Sequence, residues 1–269
     1  MNKVSNIAIV GATGLVGKTF LELLEKDHFQ NTNIHLIASK KSEGKEIYFR
    51  GKIHIVKAVD DFDFSSVEVV FFSAGAEVAK KYAPLAARKG CFVVDNSSCF
   101  RRDDNIPLVI KEVNPEIVNN DCIPGIVANP NCSTIQMLVA LKPLHDRFVL
   151  KRIDVTTFQS VSGTGKLAQE ELLKQVEDYL AGKPLSSKVY TKPIAFNAIP
   201  QCGEFQEDGN SLEEMKMVWE TQKILDSKIQ ITATCVRVPI LNGHSESIHI
   251  ETVNPVSEEE ARQCLMKAP

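Results

Sequence analysis

Short apolar runs alternate with helical periodicity along the first half of the chain. Ile7 to Val10 is an apolar run without polar alternation, which is typical of a strand buried on both faces of a parallel sheet. Glycines follow at once, and Thr19 to Leu24 then places its apolar residues on one face of a helix. Further elements are predicted over 34–38, 67–72, 78–89 and 92–95. This order predicts an α/β fold with a Rossmann-type first domain.

The second half has longer strands that alternate between apolar and polar residues. Residues 151–158 predict a half-buried strand, and a second glycine loop at 159–166 leads into a helix over 167–180. Ser211 and Glu214 have the spacing of a capping box, which predicts a helix to about Leu225. Strands are predicted over 229–240 and 247–252, a last helix near 257, and a surface loop over 184–210. We expect one domain over 1–131 and a second, α+β domain over 132–269.

The composition favours a globular protein over a membrane protein or a nucleic-acid-binding protein. The 269 residues are 43% hydrophobic and 24% charged with a net charge of −3, which is typical of a globular protein that binds neither nucleic acid nor an anionic membrane. No apolar run is long enough to span a membrane, and the first residues lack the apolar core of a signal peptide. Seven cysteines without metal-type spacing predict reduced thiols, a cytoplasmic location and no metal site.

The first glycine turn has the context of a dinucleotide-binding site. Gly11, Gly14 and Gly17 lie between the predicted strand and helix, where backbone N–H groups can approach a pyrophosphate. The alternative is a tight turn without a ligand. The candidate cofactor contacts in this turn are Gly11, Thr13, Gly14, Leu15 and Val16.

The ends of the following strands favour NADP over NAD. The second strand is followed by Ser39, Lys40 and Ser42, where an NAD site would place an acidic residue for the ribose hydroxyl. Hydroxyls and a lysine suit a 2′-phosphate, although a solvated loop is the alternative. Ligands bind at the carboxyl ends of such strands, so later turns also contribute candidates, namely Ser73, Gly75 and Asn96.

A cysteine nucleophile is predicted where Asn129-Pro130-Asn131-Cys132 runs into the apolar segment 135–141. The turn places Cys132 in the first turn of a helix, where the partial positive charge stabilises a thiolate. We expect this helix to end near Pro143. Such a cysteine needs a base, and His244 is the best candidate because it lies in a polar turn after a strand.

Other polar residues are candidates for ligand contacts, and the position of Arg237 is costly without an anionic partner. Gln159 ends a strand before the second glycine loop, and Arg237 interrupts an apolar strand. Arg101 follows a strand-end turn and suits a carboxylate or phosphate. Glu213 and Lys216 share one helix face, and spacing alone favours an exposed ion pair.

These motifs together resemble the aspartate-β-semialdehyde dehydrogenase family. The resemblance follows the chain in order through GATGLVG, SKKS, DNSSCFRRD, NPNCST, FQSVSGTGK, EEMK and CVRVPILNGHSES. It implies a Rossmann-type NADP-binding domain and an α+β substrate and dimerisation domain, hence a homodimer. The implied reaction interconverts L-aspartyl-4-phosphate and L-aspartate-4-semialdehyde, with NADPH and inorganic phosphate, in lysine, threonine and methionine biosynthesis.

The resemblance also implies a role for each matched residue. Cys132 is the nucleophile, His244 the acid/base, and Gln159 orients the intermediate. The implied substrate contacts are Arg101, Asn131, Glu213, Lys216 and Arg237. For Glu213 and Lys216, this role replaces the interpretation as an exposed ion pair. Ser162 and Gly163 in the second glycine loop are implied cofactor contacts.

Two alternatives follow from the same residues. N-acetyl-γ-glutamyl-phosphate reductase shares the thioester chemistry on a longer acyl phosphate. A non-catalytic NADPH-binding relative is the other alternative, because family members continue past the point where this sequence stops after Pro269. We therefore expect the second domain to be incomplete at its C-terminal end.

Overall fold

The computed structural model describes residues 4–26, 31–118, 122 and 124–268. The chain forms two compact units, Met1–Pro130 and Asn131–Pro269. Within the described residues, no helix is long and apolar enough to cross a membrane. The expectations that concern residues 1–3 and Pro269 lie outside the described residues.

In the part of the chain that the structure describes, the first unit contains a parallel six-stranded sheet, a short hairpin, two α-helices and short 3₁₀ turns. Its strands are β1 (Asn6–Val10), β2 (Asn33–Ala38), β3 (Glu46–Phe49), β4 (Lys52–Ile55), β5 (Lys57–Ala58), β6 (Val69–Phe72), β7 (Phe92–Asp95) and β8 (Gly125–Ala128). Its helices are α1 (Leu15–Lys26) and α2 (Ala76–Arg88). The sheet order is β5-β2-β1-β6-β7-β8, while β3 and β4 pair as the hairpin. The order reverses between β1 and β6, and ligands bind outside the carboxyl ends of the strands at such a point.

Strand β1 is apolar from Ile7 to Val10 because both of its faces are buried there. Ile7 and Ile9 pack in a cluster with Leu21 and Leu24 of α1. Ala8 and Val10 pack on the opposite face, in a cluster that includes alanines of α2. The prediction of a buried parallel strand is therefore confirmed, and helices cover the sheet on both sides.

The second unit contains a three-stranded mixed sheet and four helices. Its elements are α3 (Cys132–Phe148), β9 (Leu150–Gln159), α4 (Lys166–Leu180), α5 (Leu212–Ile224), β10 (Gln230–Arg237), β11 (Ser245–Thr252) and α6 (Glu258–Met266). β9 is central, with β10 parallel on one side and β11 antiparallel on the other. The register pairs Gln159 with Arg237, so these two residues end adjacent strands.

The predicted end of α3 near Pro143 is wrong. The helix continues to Phe148 with Pro143 inside it. Leu141, Leu144 and Phe148 are buried along this second part of the helix. We attribute the continuation to this apolar packing, which offsets the hydrogen bond that proline cannot donate.

The region 184–210 is irregular, as predicted, but it is not only a surface loop. Ile194, Ala195 and Ile199 are buried in a cluster with Val161 and Leu172. The loop therefore forms part of the apolar core of the second unit. Apolar residues without periodicity gave no sequence pattern from which to predict this burial.

Candidate active site

Gly11 and Gly17 lie so close to neighbouring backbone that a side chain would not fit at either position. Gly11 has φ of 96°, and an added Cβ would lie 2.7 Å from the carbonyl carbon of Ser73. A Cβ on Gly17 would lie 2.4 Å from the carbonyl oxygen of Gly11. Glycine is required at both positions, as in turns that bring backbone N–H groups to a pyrophosphate.

A cavity of about 560 Å³ lies beside this turn in the first unit. Six of the predicted cofactor contacts line it: Gly11, Thr13, Gly14, Ser39, Lys40 and Ser73. A second cavity of about 220 Å³ includes Val16, Ser73 and Asn96. Leu15 begins α1, Gly75 is the N-cap residue of α2, and Ser42 is buried in a short 3₁₀ turn. The cavity and the close backbone approach at Gly11 fit a dinucleotide.

Lys40 is paired with carboxylates at this cavity. Its Nζ lies 2.8 Å from Glu43 and 2.9 Å from Asp61. The hydrogen bonds to Glu43 and Asp61 raise the pKa of Lys40 above its usual value. A 2′-phosphate would therefore compete with two carboxylates for this exposed ammonium group.

Arg101 is held inside the first unit by the end of β7. It is 8% exposed, and its Nη2 donates to the carbonyl oxygen of Asn96 at 2.9 Å. Asn129 Nδ2 donates to Asn96 Oδ1 at 2.6 Å. These bonds fix the turn that carries both predicted ligand contacts, Asn96 and Arg101.

Cys132 is the first residue of α3, as predicted. Asn131 is the N-cap residue, and its Oδ1 accepts a hydrogen bond from the Ser133 N–H at 2.9 Å. All seven cysteines are described, and Cys132 alone among them is exposed. By contrast, burial raises the pKa of Cys91 to about 11 and that of Cys235 to about 12. Exposure and the helix N-terminus both favour a reactive thiolate at Cys132.

Gln159 reaches from β9 toward the beginning of α3. It is 1% exposed, and its Nε2 donates to Ser133 Oγ at 3.1 Å and to Thr157 Oγ1 at 3.2 Å. Ser133 follows Cys132 directly. The amide of Gln159 is thus oriented by two hydroxyls beside the predicted nucleophile.

His244 is anchored by Ser160, which sequence reasoning did not identify as a site residue. The Ser160 N–H donates to His244 Nδ1 at 3.0 Å, and Ser160 Oγ lies 3.2 Å from the same nitrogen. Burial lowers the pKa of His244 below its usual value. Because Nδ1 accepts the backbone N–H, we assign the proton of the neutral ring to Nε2.

Arg237 and His244 face the second glycine loop. Arg237 is 6% exposed, and its Nη1 donates to the carbonyl oxygen of Ser160 at 2.6 Å. Its Nε has no hydrogen-bond partner among the described residues. A Cβ on Gly163 would lie 3.2 Å from Arg237 Nη1 and 3.4 Å from His244 Nε2. A buried guanidinium with an unpaired donor is suited to an anionic ligand. Ser162, in the same loop, contacts Ser160 through its hydroxyl.

Glu213 and Lys216 form a mostly buried pair, so the exposed interpretation from spacing alone is wrong. Lys216 Nζ lies 3.0 Å from Glu213 Oε2, and Asn131 Nδ2 donates to Glu213 Oε1 at 2.8 Å. Burial acts to raise the pKa of Glu213, but Lys216 and the hydrogen bond from Asn131 outweigh it and lower the pKa. An ionised Glu213 can bind an ammonium group, and Lys216 can bind a phosphate.

Comparisons with known families match both halves of the chain. Residues 6–120 match the semialdehyde dehydrogenase NAD binding domain. Residues 141–269 match the semialdehyde dehydrogenase dimerisation domain. These matches define an oxidoreductase of the semialdehyde dehydrogenase class, in agreement with the Rossmann-type fold and the candidate nucleophile.

Relatives identify the particular family. The aspartate-semialdehyde dehydrogenase of Shewanella violacea is 51% identical over 100% of this chain and 80% of its own length. That of Legionella pneumophila is 50% identical over 100% of this chain and 78% of its own length. The chain belongs to the aspartate-semialdehyde dehydrogenase family.

Solved structures agree with this assignment. Aspartate semialdehyde dehydrogenase II from Vibrio cholerae, complexed with ASA, is 49% identical with a TM-score of 0.96. That alignment covers 99% of this chain and 80% of the other. The Candida albicans enzyme with NADP is 28% identical with a TM-score of 0.75, covering 98% and 76% respectively.

Proposed function

We propose that this protein catalyses the reversible, NADPH-dependent reductive dephosphorylation of L-aspartyl-4-phosphate to L-aspartate-4-semialdehyde. This reaction serves lysine, threonine and methionine biosynthesis. The observation that carries the proposal is the exposed Cys132 at the start of α3, next to the Asn131–Glu213–Lys216 cluster. The family assignment and the relative complexed with ASA support the same substrate.

Cys132 is the proposed nucleophile. Its thiolate attacks the acyl carbon, the bond from that carbon to the phosphate oxygen breaks, and inorganic phosphate leaves with a proton. Backbone N–H groups in the first turn of α3 are suited to stabilise the negative charge that develops on the acyl oxygen. NADPH, when bound, supplies the hydride that reduces the resulting thioester. The carbon–sulfur bond then breaks, its electron pair returns to the Cys132 sulfur, and the aldehyde leaves.

His244 is the proposed acid/base, and Gln159 orients the reacting group. Because burial lowers the pKa of His244, its ring is neutral at neutral pH and does not hold Cys132 in a permanent ion pair. The ring accepts the proton that the Cys132 thiol loses and donates a proton to the reacting oxygen. The amide of Gln159, fixed by Ser133 and Thr157, can hydrogen-bond the intermediate without competing for that proton.

The remaining polar residues match the charges of the substrate. Arg237 is proposed to bind its α-carboxylate, and Glu213 its ammonium group. Arg101 and Lys216 are proposed to bind the phosphate. Asn131, whose side chain connects α3 with Glu213, completes the proposed substrate site.

The cofactor, the assembly and the location also follow from the sequence and the comparisons as proposals. We propose NADP rather than NAD because Ser39, Lys40 and Ser42 follow β2, and a relative is solved with NADP. The match to a dimerisation domain supports a homodimer. We also propose the division into a cofactor domain over 1–131 and a catalytic domain over 132–269. Seven reduced thiols support the cytoplasm.

N-acetyl-γ-glutamyl-phosphate reductase remains the related alternative, and the comparisons do not favour it. The relatives named above are aspartate-semialdehyde dehydrogenases. The segments NPNCST at 129–134, EEMK at 213–216 and RVPILNGHSES at 237–247 also favour this enzyme. A comparison of the two semialdehydes as substrates in one assay distinguishes the alternatives.

The test is phosphate-dependent reduction of NADP by L-aspartate-4-semialdehyde. We expect activity in the wild type, none in Cys132→Ser, and near wild-type activity in the control Cys264→Ser. Cys264 is partly buried on α6, where its thiol contacts the Pro143 carbonyl. Activity that persists in Cys132→Ser, or that needs no phosphate, would contradict the proposed reaction.

A further inference from the structure

Helix α3 begins differently from two other helices of the same unit. α5 and α6 each have a complete capping box within one helix, formed by Ser211 with Glu214 and by Ser257 with Glu260. In a capping box, a Glu or Gln three residues after the N-cap accepts the N-cap backbone N–H. The corresponding residue of α3 is Thr134, which is the wrong type for this role.

A residue from another helix takes this role in α3. The backbone N–H of Asn131 donates to Glu220 Oε2 at 2.6 Å. Glu220 lies on α5, 89 residues along the chain from Asn131. A carboxylate from α5 therefore accepts the N-cap N–H of α3, as the third residue of the helix does in a capping box.

The surroundings of this contact make it strong and rigid. Glu220 is 3% exposed, Asn131 is 6% exposed, and the adjacent Met217 and Thr221 are fully buried. A hydrogen bond in such a dry environment is stronger than one in water. Displacing Asn131 would leave a buried carboxylate short of a donor, which is costly.

One face of α5 holds Asn131 at two points. Glu213 and Glu220 are seven residues apart, which is about two helical turns. Glu213 accepts from the side-chain amide of Asn131, and Glu220 accepts from its backbone N–H. The remaining side-chain oxygen accepts from Ser133. Asn131, immediately before Cys132, is thus held through its backbone N–H and through both polar atoms of its side-chain amide.

We propose that Glu220 is a positioning residue for Cys132. By holding the backbone of Asn131, it sets where α3 begins and keeps Cys132 at the first helical position, where the helix N-terminus stabilises its thiolate. This inference rests on the proposed role of Cys132 as nucleophile. Glu213 differs from Glu220 because it also pairs with Lys216 in the substrate site.

Glu171 offers a matched control in the same unit. Its Oε2 accepts the backbone N–H groups of Lys188 at 2.6 Å and Val189 at 2.7 Å. Glu171→Ala therefore removes a carboxylate that caps backbone N–H groups, away from Asn131. Comparison with Glu220→Ala therefore shows whether the loss of any backbone-capping carboxylate in this unit affects Cys132.

The test measures the alkylation rate of Cys132 by iodoacetamide, read by peptide mass spectrometry from pH 6 to 9. We expect Glu220→Ala to slow alkylation at neutral pH by about 10-fold or more and to lower kcat by up to about 100-fold, as a misplaced reacting group does. Glu220→Gln keeps an acceptor oxygen and should remain within about 3-fold of wild type, because the geometry of the contact survives. Glu171→Ala should leave the rate unchanged.

The direction of the change in alkylation rate distinguishes lost positioning of Cys132 from a change in the charge near it. Removal of an ionised Glu220 would by itself stabilise the thiolate and speed its alkylation, and removal of a neutral Glu220 would leave the charge unchanged. Slower alkylation in Glu220→Ala therefore comes from lost positioning. Wild-type alkylation in a folded Glu220→Ala would overturn the proposal, and so would equal slowing in Glu171→Ala. If Glu220→Ala does not fold, Glu220→Gln decides, since slow alkylation there also overturns it. Alkylation needs no substrate, so a failure of the proposed dehydrogenase activity is detected separately.

Discussion

A single methyl group at Gly163 is expected to disrupt the site without disturbing the backbone. Gly163 is one of the glycines without a positive φ, so alanine is conformationally allowed there. Its Cβ would lie 3.2 Å from Arg237 Nη1 and 3.4 Å from the Cε1 and Nε2 atoms of His244. Gly163→Ala therefore places carbon between the proposed carboxylate ligand and the proposed acid/base.

The size of the effect follows from how little these neighbours can move. Ordinary contacts between such atoms are about 3.5–4.0 Å, so Arg237 must move by about 0.3–0.8 Å. Its Nη1 is bonded to the Ser160 carbonyl, and His244 is bonded to the Ser160 N–H. Overpacking of this kind costs about 1–3 kcal/mol. At about 1.4 kcal/mol per tenfold change, kcat/KM should fall by about 5- to 150-fold.

The assay is steady-state reduction of NADP by L-aspartate-4-semialdehyde at saturating phosphate, with thermal unfolding measured on the same samples. The loss should appear in kcat/KM, and the same overpacking should lower the unfolding midpoint by about 2–4 °C per kcal/mol. A double-variant cycle with Arg237→Lys tests the cause, because lysine lacks the Nη1 atom that the methyl group meets. An unchanged kcat/KM, or a loss that is fully additive with Arg237→Lys, would refute this reasoning.

Two further predictions concern stability. Burial raises the pKa of Glu246 from 4.5 to about 7, so the folded state favours the neutral carboxyl and loses stability as the pH rises from about 4.5 through 7. The shift is equivalent to about 3 kcal/mol, which solvent at this half-buried position reduces to about 1 kcal/mol. Glu246→Gln should therefore be more stable than wild type in urea at pH 8 and equal to it near pH 4; an equal gain at both pH values would contradict this. Gln175 is 1% exposed and bonds the Ile194 and Ala195 N–H groups and the Ser186 carbonyl. Gln175→Leu should lower the free energy of unfolding by about 3 kcal/mol or more and speed hydrogen exchange at Ile194 and Ala195, and unaltered exchange would show that these bonds do not order the loop.

The fold was predictable from sequence where local patterns agree with tertiary structure. The apolar run of β1, the glycine turn and the capping box at Ser211 all specify their structure locally. The β3–β4 hairpin was missed because it turns at Arg50 and Gly51, with φ of 50° and 73°. Arginine rarely adopts such a conformation, and here it is held by hydrogen bonds to the Leu24 and Thr32 carbonyls. Those partners are distant in sequence, so no local pattern reveals the turn.

Some residues of the candidate site were also predictable from local sequence patterns, and others were not. Cys132 was placed correctly because Asn-Pro-Asn is itself a helix-start pattern. Spacing alone predicted an exposed Glu213–Lys216 pair, whereas α5 packs against α3 and β10 and buries it. Ser160 and Glu220 could not be recognised, because their partners His244 and Asn131 lie 84 and 89 residues away.

These long sequence separations have a consequence for how the protein folds. The contacts from Ser160 to Arg237 and His244, and from Asn131 to Glu220, each close a loop of 77 to 89 residues. Loop closure of this kind costs chain entropy before any contact offsets it, and parallel pairing such as that of β9 with β10 is slow to form. Helices α3 and α4 can therefore form before the residues around Cys132 are assembled. During refolding, the reactivity of Cys132 should mature with the last steps and serve as a late reporter of native topology.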